Sequence, residues 1–412
     1  MLGTRRTVAP CRKKRSRRFS SPAAEGRGLN ENPAATPSLR LCFFGTYPKA
    51  YTVSRILEQA ARDAGCEVLS CQNSPWESHP VKLPEFFRLA RLPVLAAAYL
   101  RAARSFARAL RRCPASILVA GFQGNFDVLV AKSLGLVKQR PVVFAPLVTL
   151  WETVVLDRAV FPSRSFRARM VHRLDRWSLS AADRIVIDTM AHAEFLCREF
   201  DLPGTKVRVF HLGCDTNVFR AMPSFRRTGR TKVLFYGSFL PLHGVEVILE
   251  AARLLREERE IQLTLRGGGW GYSQVASEVS ASALPNVVLG GWVDYEALPQ
   301  LISEHDVCLG IFSSGIKASM VIPNKLYQCA AVGRAVVSAD TPAVQEVFRN
   351  GQSILLVPPD NPAELANAIL RLHREPELRQ DLAAGALQLM EEHFSPAARA
   401  KRFRDAFLEG LV

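Results

Sequence analysis

Short apolar runs alternate along this chain with longer stretches of helical period. Residues 39–44 form a near-continuous apolar run, as in a strand buried on both faces. Gly45, Thr46, Tyr47 and Pro48 end it, and 54–64 reads as the following helix. Further strands are predicted at 66–71, 116–120, 142–145, 185–187 and 207–210, the second of these running through Gly121 and Gly124 into a helix at 126–136. A polar stretch at 221–230, with Pro223 and Gly229, interrupts the pattern. It then restarts, with strands at 232–236, 262–266, 287–289, 307–311 and 335–338 and helices at 244–256, 296–304, 323–332, 342–349 and 362–374. Strand, glycine-containing turn and helix in repeated order predict an α/β chain of two Rossmann-like, doubly wound domains. Ligands of such sheets bind at the carboxyl ends of the strands, here in a cleft between the domains. The expected organisation is a disordered basic tail at 1–37, a first domain at 38–222, a linker at 223–230, a second domain at 231–395, and a last helix at 396–412 packing back on the first domain.

A length of 412 residues agrees with two domains, since one core rarely grows so large. No apolar run approaches the roughly 18 residues needed to cross a bilayer, and no apolar segment follows the basic N-terminus as in a secretory signal. The nine cysteines are scattered without a CxxC pair and read as reduced core residues of a cytoplasmic protein, with no metal site expected. The net charge is +16, and residues 1–40 carry ten Arg and Lys against two Glu. That balance favours an anionic partner. Nucleic acid is not expected, because no aromatic residues interleave with the block at 12–18. A solvated tail, a membrane-adhesive tail and a mitochondrial transit peptide all share this composition.

The most informative segment is 322–337, which opens Ile322, Pro323, Asn324, Lys325. Proline suits a helix start, where its missing N–H would be unsatisfied anyway. The N–H groups of Asn324, Lys325 and Leu326 would then be available at the positive end of the helix dipole, which suits a diphosphate. Lys325 adds a full charge in the same turn. Segment 233–245 is a strand ending in Gly237 and Ser238, with His243 and Gly244 opening the next helix; His243 read alone could simply cap that helix. Arg266 enters a glycine-rich turn, and Gly290, Gly291, Trp292 and Val293 form another.

These segments resemble the donor-binding half of the retaining glycosyltransferases of family 4, over about residues 39–395 and more strongly in the C-terminal half. The resemblance implies the GT-B fold, a nucleotide-diphosphate sugar as donor, retention of anomeric configuration, and no cofactor or metal. It places Gly237, Ser238, His243, Gly244, Arg266, Val293, Pro323, Asn324, Lys325 and Gln328 around the donor. The chain departs from the family pattern where it has Ser238 and His243 for an Arg and a Lys, and Met320 and Gln328 for two Glu. Gln328 could still reach a ribose hydroxyl. With the loop cations gone, Lys325 is expected to carry the phosphate contact, helped by His243 at low pH.

The acceptor belongs to the first domain, where Gly45, Thr46, Gly121 and Glu152 are the candidates; no catalytic base can be assigned. Arg101, Arg104, Arg108 and Arg111 recur at helical spacing beside Leu100, Ala103, Ala107 and Leu110, a basic amphipathic pattern that suits either solvent or an anionic lipid surface. The resemblance implies a lipid-linked or cell-envelope glycan acceptor, met on the inner face of the membrane. A nucleotide-sugar epimerase, a phosphorylase and a non-catalytic scaffold are the competing readings. The missing carboxylate at Met320 argues against an epimerase, and the four departures keep a scaffold open.

Overall fold

The computed structural model describes residues 39–46, 52–73, 92–223, 229–282 and 284–411. The tail at 1–37 and the linker residues 224–228 lie outside the described residues.

The first sheet has the strand order β2-β1-β3-β4-β5-β6, all parallel. Its strands and helices follow in sequence: β1 (Arg40–Gly45), α1 (Thr52–Asp63), β2 (Glu67–Gln72), α2 (Leu92–Arg112), β3 (Ile117–Ala120), α3 (Asn125–Ser133), β4 (Val142–Phe144), α4 (Phe166–Ala181), β5 (Arg184–Ile187), α5 (Met190–Phe200) and β6 (Val207–Val209). Period-two alternation sends Leu41 and Phe43 to one face, against Ile56, Leu57 and Phe403. It sends Cys42 and Phe44 to the other, against Phe106, Leu110 and Val128. Both faces are therefore covered, which is why these strands read as unbroken apolar runs.

The second sheet has the order β12-β11-β10-β7-β8-β9, again all parallel. It contains β7 (Thr231–Gly237), α6 (Val245–Leu254), β8 (Ile261–Gly267), α7 (Tyr272–Ser282), β9 (Val287–Gly290), α8 (Leu298–Ser303), β10 (Val307–Leu309), α9 (Ile316–Met320), α10 (Asn324–Val332), β11 (Ala335–Ala339), α11 (Pro342–Gln345) and β12 (Leu355–Val357). The helices α12 (Pro362–Arg374), α13 (Pro376–Phe394) and α14 (Pro396–Phe403) complete the chain. The last of these packs on α1, where Arg399 Nε donates to Asp63 at 2.7 Å. Phe403 and Phe407 enter the core of the first sheet beside Phe210.

Both sheets reverse strand order once, the first between β1 and β3 and the second between β7 and β10. Such a reversal splays the flanking loops apart and leaves a crevice at the carboxyl ends of the strands. Gly45 ends β1 and Thr46 follows it, Gly121 follows β3, Gly237 ends β7, and the 310–315 loop follows β10. Gly45, Thr46, Gly121 and Gly237 thus lie at the two reversal points.

Candidate functional site

The second-domain site is built around the aromatic ring of Phe235. This residue is fully buried on β7, and the Lys325 ammonium sits over its ring, 4.0 Å from the centroid. His243 packs edge-on to the same ring at 5.5 Å. Gly237 completes the group: a Cβ there would lie 3.0 Å from His243 Cε1 and 3.2 Å from Lys325 Nζ. Segments 235–243 and 323–325, nearly 90 residues apart in sequence, thus meet at one point.

Glycines let the surrounding loops approach closely. Gly244 has φ +61°, and a side chain on it would meet the backbone N of Ser313 at 2.7 Å. That contact pins the start of α6 to the loop after β10, and Phe312 N–H donates to the His243 carbonyl at 3.0 Å. Gly267 has φ +145°, and its Cβ would fall 1.9 Å from the Gly237 carbonyl oxygen. The Trp270 N–H donates to the Ser238 carbonyl at 3.2 Å, so Ser238 is held between the two glycine loops.

Helix α10 begins at Asn324 with Pro323 as its N-cap, and no side chain caps it. The Leu326 N–H is already used by the Pro323 carbonyl at 2.9 Å, which corrects the expectation of three available N–H groups. The N–H groups of Asn324 and Lys325 are at positions that have no partner within a helix. Lys325 itself departs from its expected form. Its ammonium is buried without a hydrogen-bond partner, and burial pushes its pKa down to about 7. It is therefore a poised rather than a permanent cation. His243 is likewise buried. Its Nδ1 accepts from the Leu240 N–H at 3.2 Å, and burial together with Lys325 holds its pKa well below the usual histidine value. In the ligand-free site a second charge beside Lys325 is disfavoured, which weighs against the expected aid from a protonated His243 at low pH.

The remaining donor-side candidates scatter. Gln328 is buried, and its carbonyl oxygen accepts from the Tyr236 hydroxyl at 2.7 Å, so the expected ribose contact would have to displace a core hydrogen bond. Arg266 leans over β9: its guanidinium fills the space where a Gly290 side chain would stand, and its Nε has no partner. Val293, Pro323 and Asn324 are half-buried.

On the first domain, Gly45 has φ +131° and its carbonyl accepts from Asn73 N–H at 2.9 Å. Thr46 is buried, its N–H donating to Asp127 at 2.7 Å. Asp127 also accepts from Tyr99, and burial raises its pKa to about 6. The Gly121 carbonyl accepts from Gly124 N–H at 3.0 Å and so closes the β3–α3 turn. Glu152 is fully buried, which removes it from direct contact with an acceptor. One of its oxygens accepts from the Thr149 N–H at 2.7 Å, and the other pairs with His192 Nε2 at 2.6 Å. His192 Nδ1 pairs with Asp188 at 2.8 Å. Burial opposes charge on His192, but Glu152 and Asp188 outweigh it and raise its pKa to about 10.

His192 and Asp188 escaped the sequence reading, although Asp188, Thr189 and His192 show the spacing of a capped helix start: Thr189 Oγ1 accepts from His192 N–H at 3.0 Å. The same turn joins the domains. The Thr189 hydroxyl donates to the Met320 carbonyl, and Glu346 accepts from the N–H groups of Met190 at 2.7 Å and Ala191 at 2.8 Å. Buried Lys317 faces Asp157 across the cleft at 3.7 Å, and the Arg158 guanidinium lies over Trp270.

Residues 230–375 match the family model of glycosyl transferases group 1. An alpha-D-kanosaminyltransferase of Streptomyces kanamyceticus is 26% identical over 246 residues, covering 57% of this chain and 62% of its own. A D-inositol 3-phosphate glycosyltransferase of a Nocardioides strain is 28% identical over 239 residues, 51% of this chain and 50% of its own. The chain thus matches between half and a little over three-fifths of the length of these relatives. Among solved structures, sucrose-phosphate synthase of Thermosynechococcus elongatus superposes with a TM-score of 0.66 at 17% identity, over 89% of this chain and 98% of that one. Anabaena HepE in complex with UDP-glucose gives 0.65 at 14% identity, over 89% and 98%. The chain therefore has the GT-B fold, and its residues 230–375 carry the pattern of the group 1 glycosyl transferases.

Proposed function

We propose that this chain is a glycosyltransferase that moves a sugar from a nucleotide-diphosphate donor to an acceptor held by the first domain. The observation that carries the reading is the buried Lys325 ammonium, without a hydrogen-bond partner, beside Gly237 at the strand-order reversal of the second sheet. A desolvated amine without a counter-charge is costly, and an anion arriving there removes the cost. The uncapped start of α10 offers backbone N–H groups to the same anion. The group 1 family match over this domain, and a neighbour of the same fold that holds UDP-glucose, support a nucleotide-sugar donor.

In this reading the Lys325 ammonium and the α10 N-terminus hold the diphosphate, and the Gly237–Gly244 loop lets it approach the backbone. Lys325 stabilises negative charge on the leaving diphosphate as the bond to the sugar breaks. We assign retention of configuration on the family resemblance; the diphosphate then takes the acceptor proton, and no carboxylate base is required. The acceptor is a lipid-linked or cell-envelope glycan, reached from the cytoplasmic face by the basic helix α2. Calorimetric titration with UDP, GDP and their sugars tests the donor side: binding of one of them, lost in Lys325→Ala, is expected, and silence across the panel would return the chain to the scaffold reading. An NMR assignment of the product linkage tests retention.

A further inference from the structure

Cys42, Cys71 and Cys113 come from three separate elements: the middle of β1, the end of β2 and the turn after α2. Their sulfur atoms all lie within 4.8 Å of one another. The three meet on the face of the first sheet that carries Phe44, Phe106 and Leu110, on the side of the sheet away from Leu41 and Phe43. Cys42 is fully buried, and Cys71 and Cys113 are half-buried, so the trio has an apolar floor and an edge towards solvent. Cysteines commonly serve as small core residues. Three converging on one point from distant parts of the chain form a donor set.

We propose that Cys42, Cys71 and Cys113 form a three-thiolate site for a soft divalent cation of the zinc class, its fourth position open to solvent. Zinc–sulfur bonds are about 2.3 Å long, and tetrahedral geometry then puts the sulfurs roughly 3.8 Å apart. The trio needs to close by about an ångström or less. On binding, three S–H bonds release three protons and three sulfur–metal bonds form, leaving one net negative charge. Arg140 is placed to balance it. Its guanidinium donates to the Cys113 carbonyl at 2.9 Å and to the Leu110 and Leu136 carbonyls at 3.2 and 2.8 Å. An arginine keeps its charge in such a setting. Soft thiolate donors select zinc-like ions over magnesium or calcium. The trio is invisible in the residue order, since 42, 71 and 113 lack the short spacing of a metal motif.

The test is titration of the reduced full-length chain with Co²⁺ under anaerobic conditions, followed by thiolate-to-cobalt charge-transfer absorption and by displacement with Zn²⁺. One equivalent should bind. Cys71→Ser and Cys113→Ser should each weaken binding at least tenfold while circular dichroism shows them folded, and Cys197→Ser should bind like the parent. Absence of the charge-transfer band overturns the proposal. So does a band of undiminished strength in both serine variants, or a Cys71–Cys113 disulfide whose reduction restores no affinity for either ion.

Discussion

Lys325 illustrates how a side chain can be costly to the empty protein and useful to the loaded one. Its pKa is pushed down to about 7 by burial, below its usual 10.5. The unfolded chain therefore holds more protons than the folded one between about pH 7 and 10.5, and stability rises with pH across that window. Lys325→Met should raise the melting temperature of the ligand-free protein at pH 6.5, with the gain fading by pH 10; differential scanning fluorimetry at the two pH values reads it. The same replacement should weaken nucleoside-diphosphate binding by about 1.5–3 kcal/mol, the range for a hydrogen bond to a charged group. A bound diphosphate should return the amine to its charged form. At pH 8 binding should then take up as much as about one proton, and near pH 6, where the amine is already charged, close to none. Calorimetry in two buffers of different ionisation enthalpy measures that uptake, and equal apparent enthalpies at pH 8 would remove Lys325 from the phosphate site. Lys325 was legible in the sequence because Pro323 marks a helix start and a cation follows it. Its partnerless state was not, because Phe235 and Gly237, which bury it, lie nearly 90 residues away and show no charge pattern.

At the scale of elements, two glycine-bearing turns and one buried triad decide whether the cleft keeps its shape. Gly267 leaves no room for a methyl group, since the Gly237 carbonyl would stand 1.9 Å from it. Gly267→Ala should separate the two loops and cost several-fold in donor affinity along with about 1–3 kcal/mol of stability, read by calorimetry and urea unfolding. His192 sits between Glu152 and Asp188 with no exposed surface. His192→Ala leaves buried carboxylates without their partner and should cost about 3–5 kcal/mol. Its pKa of about 10 lies above the unfolded value of 6.5, so its contribution is full below pH 6.5 and is lost as pH rises towards 10. Urea unfolding of wild type and His192→Gln should therefore show a gap that narrows between pH 6 and pH 9.5. The strands of both sheets were legible, except β12, whose three residues (Leu355–Val357) are too few for a period to show before Pro358 and Pro359. Helices α4, α5, α7, α9 and α13 also escaped: α4 carries arginines on several sides, and its apolar stripe is broken by Asp175, which is buried to hold the N–H groups of Leu150 and Trp151.

The whole molecule places Gly237, with Lys325 and His243 beside it, at one strand-order reversal and Thr46, Gly45 and Gly121 at the other. Two parallel sheets could be read from the sequence because both faces of each are covered at their centre, which turns strands such as β1, β3, β4 and β5 into apolar runs, while β8 still alternates. The inter-domain contacts could not, since Thr189, Met320 and Glu346 are tied by backbone groups that no residue pattern reveals. The surface of the first domain bears on where the protein works. Helix α2 and α3 border a groove of about 650 Å³ lined by Leu100, Arg104, Arg108, Arg111 and Leu134. Leu100 and Leu134 are more than half exposed, so apolar and cationic groups share one face. No helix among the described residues is long and apolar enough to cross a membrane. A face of this kind can lie in the headgroup region of an anionic bilayer, where each arginine near the surface contributes about 1 kcal/mol. Replacing Arg104, Arg108 and Arg111 with Glu should then release the protein from anionic vesicles in a flotation assay at low salt. Wild type should float with them and detach as salt shortens the Debye length to about 3 Å at 1 M. Donor binding should be unchanged in the variant, because the groove lies on the first domain, away from Lys325. Equal flotation of wild type and variant would assign the arginines to a solvated surface.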